Sequence, residues 1–256
     1  MGIYFDDHHA PAENQLGGKP YYMRDSEKVA SLRSAESYEE LMELAAALNW
    51  QLRYREAAEV YTKAVALDPD RPDAIRQRAA RYLASLQTEK AVADFERSLE
   101  LGCDRADTLY RLGIAYYLNG QFEQSMAAEA EAFPLFDEEM GIAAMYWNTL
   151  ASMKAGKEAE VAKQYYVGMQ VGHHTAYDAV MSLFTNHVTM DEAIARLESV
   201  NEDLEFAMMG FGTAMIARQR GMEELCDDIL YTVVKHDSFW IGYGYIAAWQ
   251  EYFSRN

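Results

Sequence analysis

From Tyr38 to Ala132 the apolar and small residues return with the period of an amphipathic helix, in stretches broken by short polar turns. One pattern dominates: a small residue, a bulky one four later, and a small one three after that. Ala57, Tyr61 and Ala64 recur as Ala91, Phe95 and Ser98, then as Ser125, Glu129 and Ala132, an offset of 34 each time. The helices preceding them keep the same offset, through Leu44 and Leu48, Arg78 and Tyr82, Leu112 and Tyr116. Ser37 and Glu40 have the spacing of a capping box that starts the first helix, and Pro69 pushes Asp68 out of the helical region to end the second. The turn Asn119-Gly120-Gln121 separates the two helices of the stretch 107–132. Helix pairs of this size cannot bury their faces alone and must stack on neighbouring pairs.

Past Ala132 the register slips. Phe133-Pro134 stops a helix early, and Asp137, Glu138 and Glu139 supply acidic residues for the next start. A fourth unit is expected with Met145 to Lys154 as first helix, Gly156 as turn, and Val161, Tyr165 and Gly168 in a second helix. A fifth runs from His174, with a capping box at Thr189 and Glu192 and a seam of Ala193, Leu197 and Val200. A sixth has Phe206 to Gln219, a break at Arg220-Gly221, then Cys226, Leu230 and Val233. The seam offsets there are 36, 32 and 33. Residues 1–36 form a leader, irregular up to residue 24 and followed by a short helix from about Asp25 to Ala35. The segment 239–256 is one more helix that caps the array. The domain plan is therefore 1–36 leader, 37–139 three well-matched units, 140–238 three degenerate units and 239–256 cap, with 36–256 a single continuous body.

These spacings resemble the tetratricopeptide repeat (TPR) family. The third unit matches through Leu112, Gly113, Tyr116, Gly120, Phe122 and Ala132, the first through Leu44, Ala45, Tyr54, Ala57, Tyr61, Ala64 and Pro69. Arg78 stands where the family usually has Leu, Glu129 where it has an aromatic, and its Trp near the start of the first helix is absent throughout. The resemblance implies an all-α, right-handed α-α superhelix of about six helix-turn-helix units with a capping helix. It also implies a concave groove lined by the first helices. Carried onto this chain, that groove is Met42, Ala46 and Asn49; Arg76 and Leu83; Tyr110, Ile114 and Tyr117; Tyr146 and Met153; Asp178 and Thr185; Phe211, Met215 and Arg218. Its middle would be aromatic and apolar, suiting a peptide or helix with bulky anchors. The Lys and Asn of the family's two-carboxylate clamp fall on Met42, Ala46 and Gln77, so that specificity is excluded. Two other owners compete for the groove: the array's own superhelical packing, and the leader, through Tyr21-Tyr22-Met23.

Charge and chemistry narrow the function. With 23 Lys+Arg against 41 Asp+Glu the net charge is −18, which repels nucleic acid and favours basic flanks on a partner. Half the residues are apolar, enough for a buried core. No secretion signal, transmembrane run or myristoylation site is visible, so a cytoplasmic protein without a membrane partner is expected. Cys103 and Cys226 lie far apart, without the spacing of a disulfide framework or a thiolate zinc site, and Cys226 sits at a packing position. His8-His9 behind Asp6-Asp7 carry metal-ligand chemistry in a leader. His173-His174 would point about 100° apart on a helix, so a capping or surface role is expected for them. No catalytic motif, cofactor fingerprint or metal centre emerges. The expected function is non-catalytic protein or peptide binding, as an adaptor or scaffold. One alternative is a homo-oligomeric structural protein whose dimer contact is Trp240, Tyr243, Ile246, Trp249 and Phe253 on the aromatic tail. Another is a peptide-sensing regulatory module, against which the absence of a DNA-binding domain counts.

Overall fold

The computed structural model describes residues 9–19 and 23–254, and among these the secondary structure is helical throughout. The chain divides into two compact units, Met1–Ala115 and Tyr116–Asn256. The first holds α1 (His9–Gln15), α2 (Glu27–Ser31), α3 (Tyr38–Trp50), α4 (Tyr54–Leu67), α5 (Pro72–Leu83) and α6 (Thr88–Glu100). The division falls inside α7 (Arg105–Leu118). The second unit continues with α8 (Phe122–Ala132), α9 (Glu138–Ala155), α10 (Thr175–Phe184), α11 (Met190–Ser199), α12 (Asp203–Gln219), α13 (Glu223–Lys235) and α14 (Tyr243–Phe253).

One local device ends the first helix of every expected pair. A backbone N–H bonds the carbonyl five residues before it: Arg53 to Leu48, Gln87 to Tyr82, Gln121 to Tyr116, Lys157 to Ser152, His187 to Ser182 and Met222 to Ala217, at 2.8–3.0 Å. This closure places one residue in the left-handed conformation. That residue is Leu52, Leu86, Gly120, Gly156, Asn186 or Gly221, with φ between 53° and 77°. The first three stand 34 apart, so the repeat is written in the turns as well as in the seams.

In the first unit the helices are amphipathic. Ala57, Tyr61 and Ala64 of α4 are buried with Leu41, Leu44 and Leu48 of α3 in one cluster, and Ala91, Phe95 and Ser98 are the corresponding buried stripe of α6. The Ser37 capping box forms, its hydroxyl accepting from Glu40 N–H while the Glu40 carboxylate accepts from Ser37 N–H. The described residues of the leader are tied to the helices that follow. Arg55 N–H, at the start of α4, donates to the Gln15 side chain, and the Arg55 guanidinium donates back to the Gln15 carbonyl. Asp25 is shared between Arg33 and Arg53, which hold its carboxyl well below the usual range. The helix expected over Asp25–Ala35 is the shorter α2. Tyr21 and Tyr22, expected to reach a groove, lie outside the described residues.

The second unit is packed differently. All residues from Gly141 to Ser152 in α9 are buried, as are Ala207 to Ala217 in α12. Such helices touch protein on every side and carry no single stripe. Glycines make room: a Cβ at Gly212 would meet Tyr146 and Val180 at 2.7 Å, and one at Gly244 the backbone of Ala207 and Met208 at the same distance. The second helix expected around Val161, Tyr165 and Gly168 does not form. A single 3-10 turn covers Val161–Gln164, and the chain then runs irregularly to His174. Gly168 and Gly172 adopt left-handed φ values that break a helix. Tyr165 instead places its hydroxyl 2.7 Å from Asp178 Oδ1 and 2.5 Å from Ser182 Oγ. The Thr189 capping box is present. The C-terminal helix starts at Tyr243 rather than Phe239, after a turn across 238–242. No helix among the described residues is long and apolar enough to cross a membrane.

Candidate binding site

The positions expected to line an open groove separate into two sets. Met42, Asn49, Arg76, Met153 and Arg218 are half-buried, as are Asp178 and Thr185, and Ala46 is exposed. Leu83, Tyr110, Ile114, Tyr117, Tyr146, Phe211 and Met215 are buried. An aromatic floor open to a ligand is therefore replaced by an aromatic core. In the second unit Tyr117 stands edge-on to Trp147 at 5.4 Å and to Phe211 at 6.1 Å, and Trp147 contacts Tyr146 at 5.3 Å. Tyr146 donates to the Met208 carbonyl at 2.8 Å. Burial pushes the Tyr117 hydroxyl strongly up, with the nearby Glu251 charge adding to it. Glu251 itself stays below the usual carboxylate range. Burial raises it, but Lys154 at 2.9 Å and Arg218 at 2.5 Å together outweigh that.

The tail contact is corrected in the same way. Trp240 and Ile246 are buried in the second unit and cannot face a partner copy, whereas Tyr243 and Trp249 are half-buried and Phe253 is exposed. Cys226 is buried at its packing position, and burial pushes the Cys103 thiol up, away from reactivity.

What the first unit does offer is a polar cleft. Arg76, Gln77, Ala80 and Arg81 of α5 share one side of that helix, and Asp107 and Arg111 of α7 are four residues apart. Together these six residues line a cavity of about 260 Å³. Arg76 donates to Asp107 Oδ2 at 2.6 Å, and Arg111 Nε lies 3.0 Å from both oxygens of the same carboxylate. Arg81 lies over the Tyr54 ring at 4.7 Å, and its buried Nε has no partner among the described residues. Two guanidinium groups thus pair with one carboxylate, and a third lines the same cavity, in a chain whose net charge is −18. The small side chain of Ala80 leaves the cavity open between them. Guanidinium forks match planar oxyanions. Of these residues only Arg76 was expected in the groove. The four-residue spacing of Asp107 and Arg111 was the legible hint of the rest.

Fold and cleft together define an all-helical protein of paired helices with a cation-lined cleft. The chain is similar to the TPR protein YrrB, described as having an unusual peptide-binding site, at 14% identity and a TM-score of 0.48, over 85% of this chain and 96% of that one. It is also similar to a putative kinesin light chain of Podosopora anserina with nearly identical TPR-like repeats, at 16% identity and a TM-score of 0.46, over 83% and 97% of the two chains. No family model matches the sequence, and no curated protein does.

Proposed function

We propose that this chain is a non-catalytic adaptor that binds a protein or peptide partner, and that the cleft between α5 and α7 holds an acidic group of that partner. The observation that carries this reading is the pairing of Arg76 and Arg111 with Asp107 in a cavity that Arg81 also lines. Guanidinium groups bind carboxylates through charge-assisted, two-point contacts. Outside the cleft the acidic surface favours basic residues flanking that group, and steers such a segment toward the protein. Apolar anchoring would come from exposed residues such as Trp50, at the end of α3 and 82% exposed. The chain's work is then confined to recognition, in the cytoplasm. A peptide array probed with the full chain tests this. Peptides with an acidic residue between basic ones are retained, and the retention weakens as salt screens the charges. Arg76→Gln with Arg111→Gln removes it. Retention that ignores both changes contradicts the reading.

A second reading rests on a separate observation. Tyr231 and Phe253 are about half exposed, and with Tyr252 and Trp249 they form a continuous ring cluster, with centroids 6.0, 5.2 and 4.4 Å apart along the chain of contacts. Such a patch suits self-association through α13 and α14. Sedimentation of the chain against Phe253→Glu separates the two: a dimer lost in the variant supports self-association, and an unchanged monomer removes it.

A further inference from the structure

Glu139, His173 and His174 come together at one edge of the second unit. Glu139 lies in the first turn of α9, and His174 is the residue that precedes α10. The two histidines are therefore not successive residues of a helix, and the angular separation that a helix would impose does not apply. Their rings lie 4.2 Å apart. One ligating atom from each of the three residues is within 4.8 Å of the others.

The surroundings hold these groups in position. His174 Nδ1 is 2.7 Å from the Glu139 carbonyl oxygen. A carbonyl only accepts, so Nδ1 carries the hydrogen and the neutral ring keeps its lone pair on Nε2. His173 Nδ1 is 2.8 Å from Glu139 Oε1. Gly172 has φ +54°, and a Cβ there would lie 2.4 Å from the Glu139 carboxyl carbon, so the carboxylate approaches where only glycine allows it. Next to Glu139, Glu138 accepts from Gln170 N–H at 2.6 Å and from the Tyr166 hydroxyl, which fixes the loop against α9. A cavity of about 260 Å³ opens beside the two imidazoles, lined further by Tyr177, Glu202, Glu205 and Met208.

We propose that Glu139, His173 and His174 form a binding site for one divalent transition-metal ion, with the remaining coordination positions facing this cavity. Two imidazole nitrogens and one carboxylate oxygen form a set that suits Zn²⁺ and its neighbours rather than Mg²⁺ or Ca²⁺, which prefer oxygen alone. The strongly negative chain lowers the cost of gathering a cation there. The ion would tie the irregular segment before α10 to the start of α9, across the gap left by the missing second helix of that pair.

Titration of the full chain with Co²⁺, read by its visible d–d absorption, and displacement by Zn²⁺ test this directly. About one ion per chain is expected, and Zn²⁺ should raise the thermal midpoint. His173→Ala, His174→Ala and Glu139→Gln should each weaken uptake by more than about tenfold. His173 is exposed, so its variant keeps the fold, which an unchanged metal-free melt verifies. Asp6, Asp7, His8 and His9 carry the same ligand types, so His8→Ala with His9→Ala is the control and should leave the absorption unchanged. Uptake indifferent to His173→Ala, uptake lost in the His8 and His9 variant, or no saturable uptake each overturns the proposal.

Discussion

Helices α6 and α9 show what separates the two units. On α6 the buried positions Ala91, Val92, Phe95 and Ser98 fall on one stripe, and the face between them is exposed. On α9 burial is continuous from Gly141 to Ser152. The first helix announces its partner by period; the second is surrounded and can be written in almost any small or apolar residue. Stripe packing leaves polar faces free to build a cleft such as that of Arg76 and Arg111. Continuous burial consumes the aromatic residues that would otherwise floor a groove.

The same substitution should read this difference most strongly. Ala144→Lys places a charge in a helix with no exposed side and is expected to cost more than about 4 kcal/mol or to prevent folding. Ala93→Lys, on the exposed face of α6, should change stability by less than about 0.5 kcal/mol. Urea denaturation compares them, and equal costs would erase the contrast between the helices.

A smaller effect tests the buried polar group of the third pair. Glu129 occupies a seam position, is fully buried, and neither carboxylate oxygen has a partner among the described residues. Burial holds its carboxyl well above the ordinary value of 4.5. A raised acid favours the folded state only while protonated. Its contribution is present below pH 4.5 and is lost as pH rises toward the folded-state value. Glu129→Met should therefore stabilise the protein at neutral pH by about 1–3 kcal/mol and flatten that part of the pH profile. A stability curve unaffected by the substitution would mean the carboxylate is accommodated as an ion.

The smallest expected effect belongs to the first unit's ion pairs. Arg78 replaces the usual Leu of the resembled pattern, and it holds Asp94 in a two-point contact at 2.6 and 2.8 Å. Both side chains are mostly buried. A double-mutant cycle with Arg78→Ala and Asp94→Ala should give a coupling of about 1–2 kcal/mol. No coupling would leave Arg78 as a packing residue alone.

How much of this was legible in the sequence follows the same division. The 34-residue seams, both capping boxes and the stop at Pro134 depend on contacts within one or two turns, and their residues are visible in order. The helix expected after Gly156 is absent because Gly168, one of the three residues whose spacing suggests it, takes a left-handed φ, as Gly172 does. The left-handed leucines at positions 52 and 86 were hidden, since nothing in a leucine signals positive φ. The groove failed at its centre because the positions of Tyr110, Tyr117 and Tyr146 were projected from a repeat register, whereas their burial depends on how whole helices close around them. Arg76 belongs both to the expected groove and to the cleft, where Arg81, Asp107 and Arg111 join it only through the packing of α5 near α7. The approach of Glu139 to His173 and His174 spans more than thirty residues and an irregular loop, beyond any local pattern.

The reading of the first unit as the recognition surface is tested most directly by affinity capture from the native host, comparing the full chain with its Arg76→Gln, Arg111→Gln variant at matched thermal stability. A defined set of partner proteins held by the unaltered chain and lost by the variant is the expected result. The same partners retained by both would contradict it.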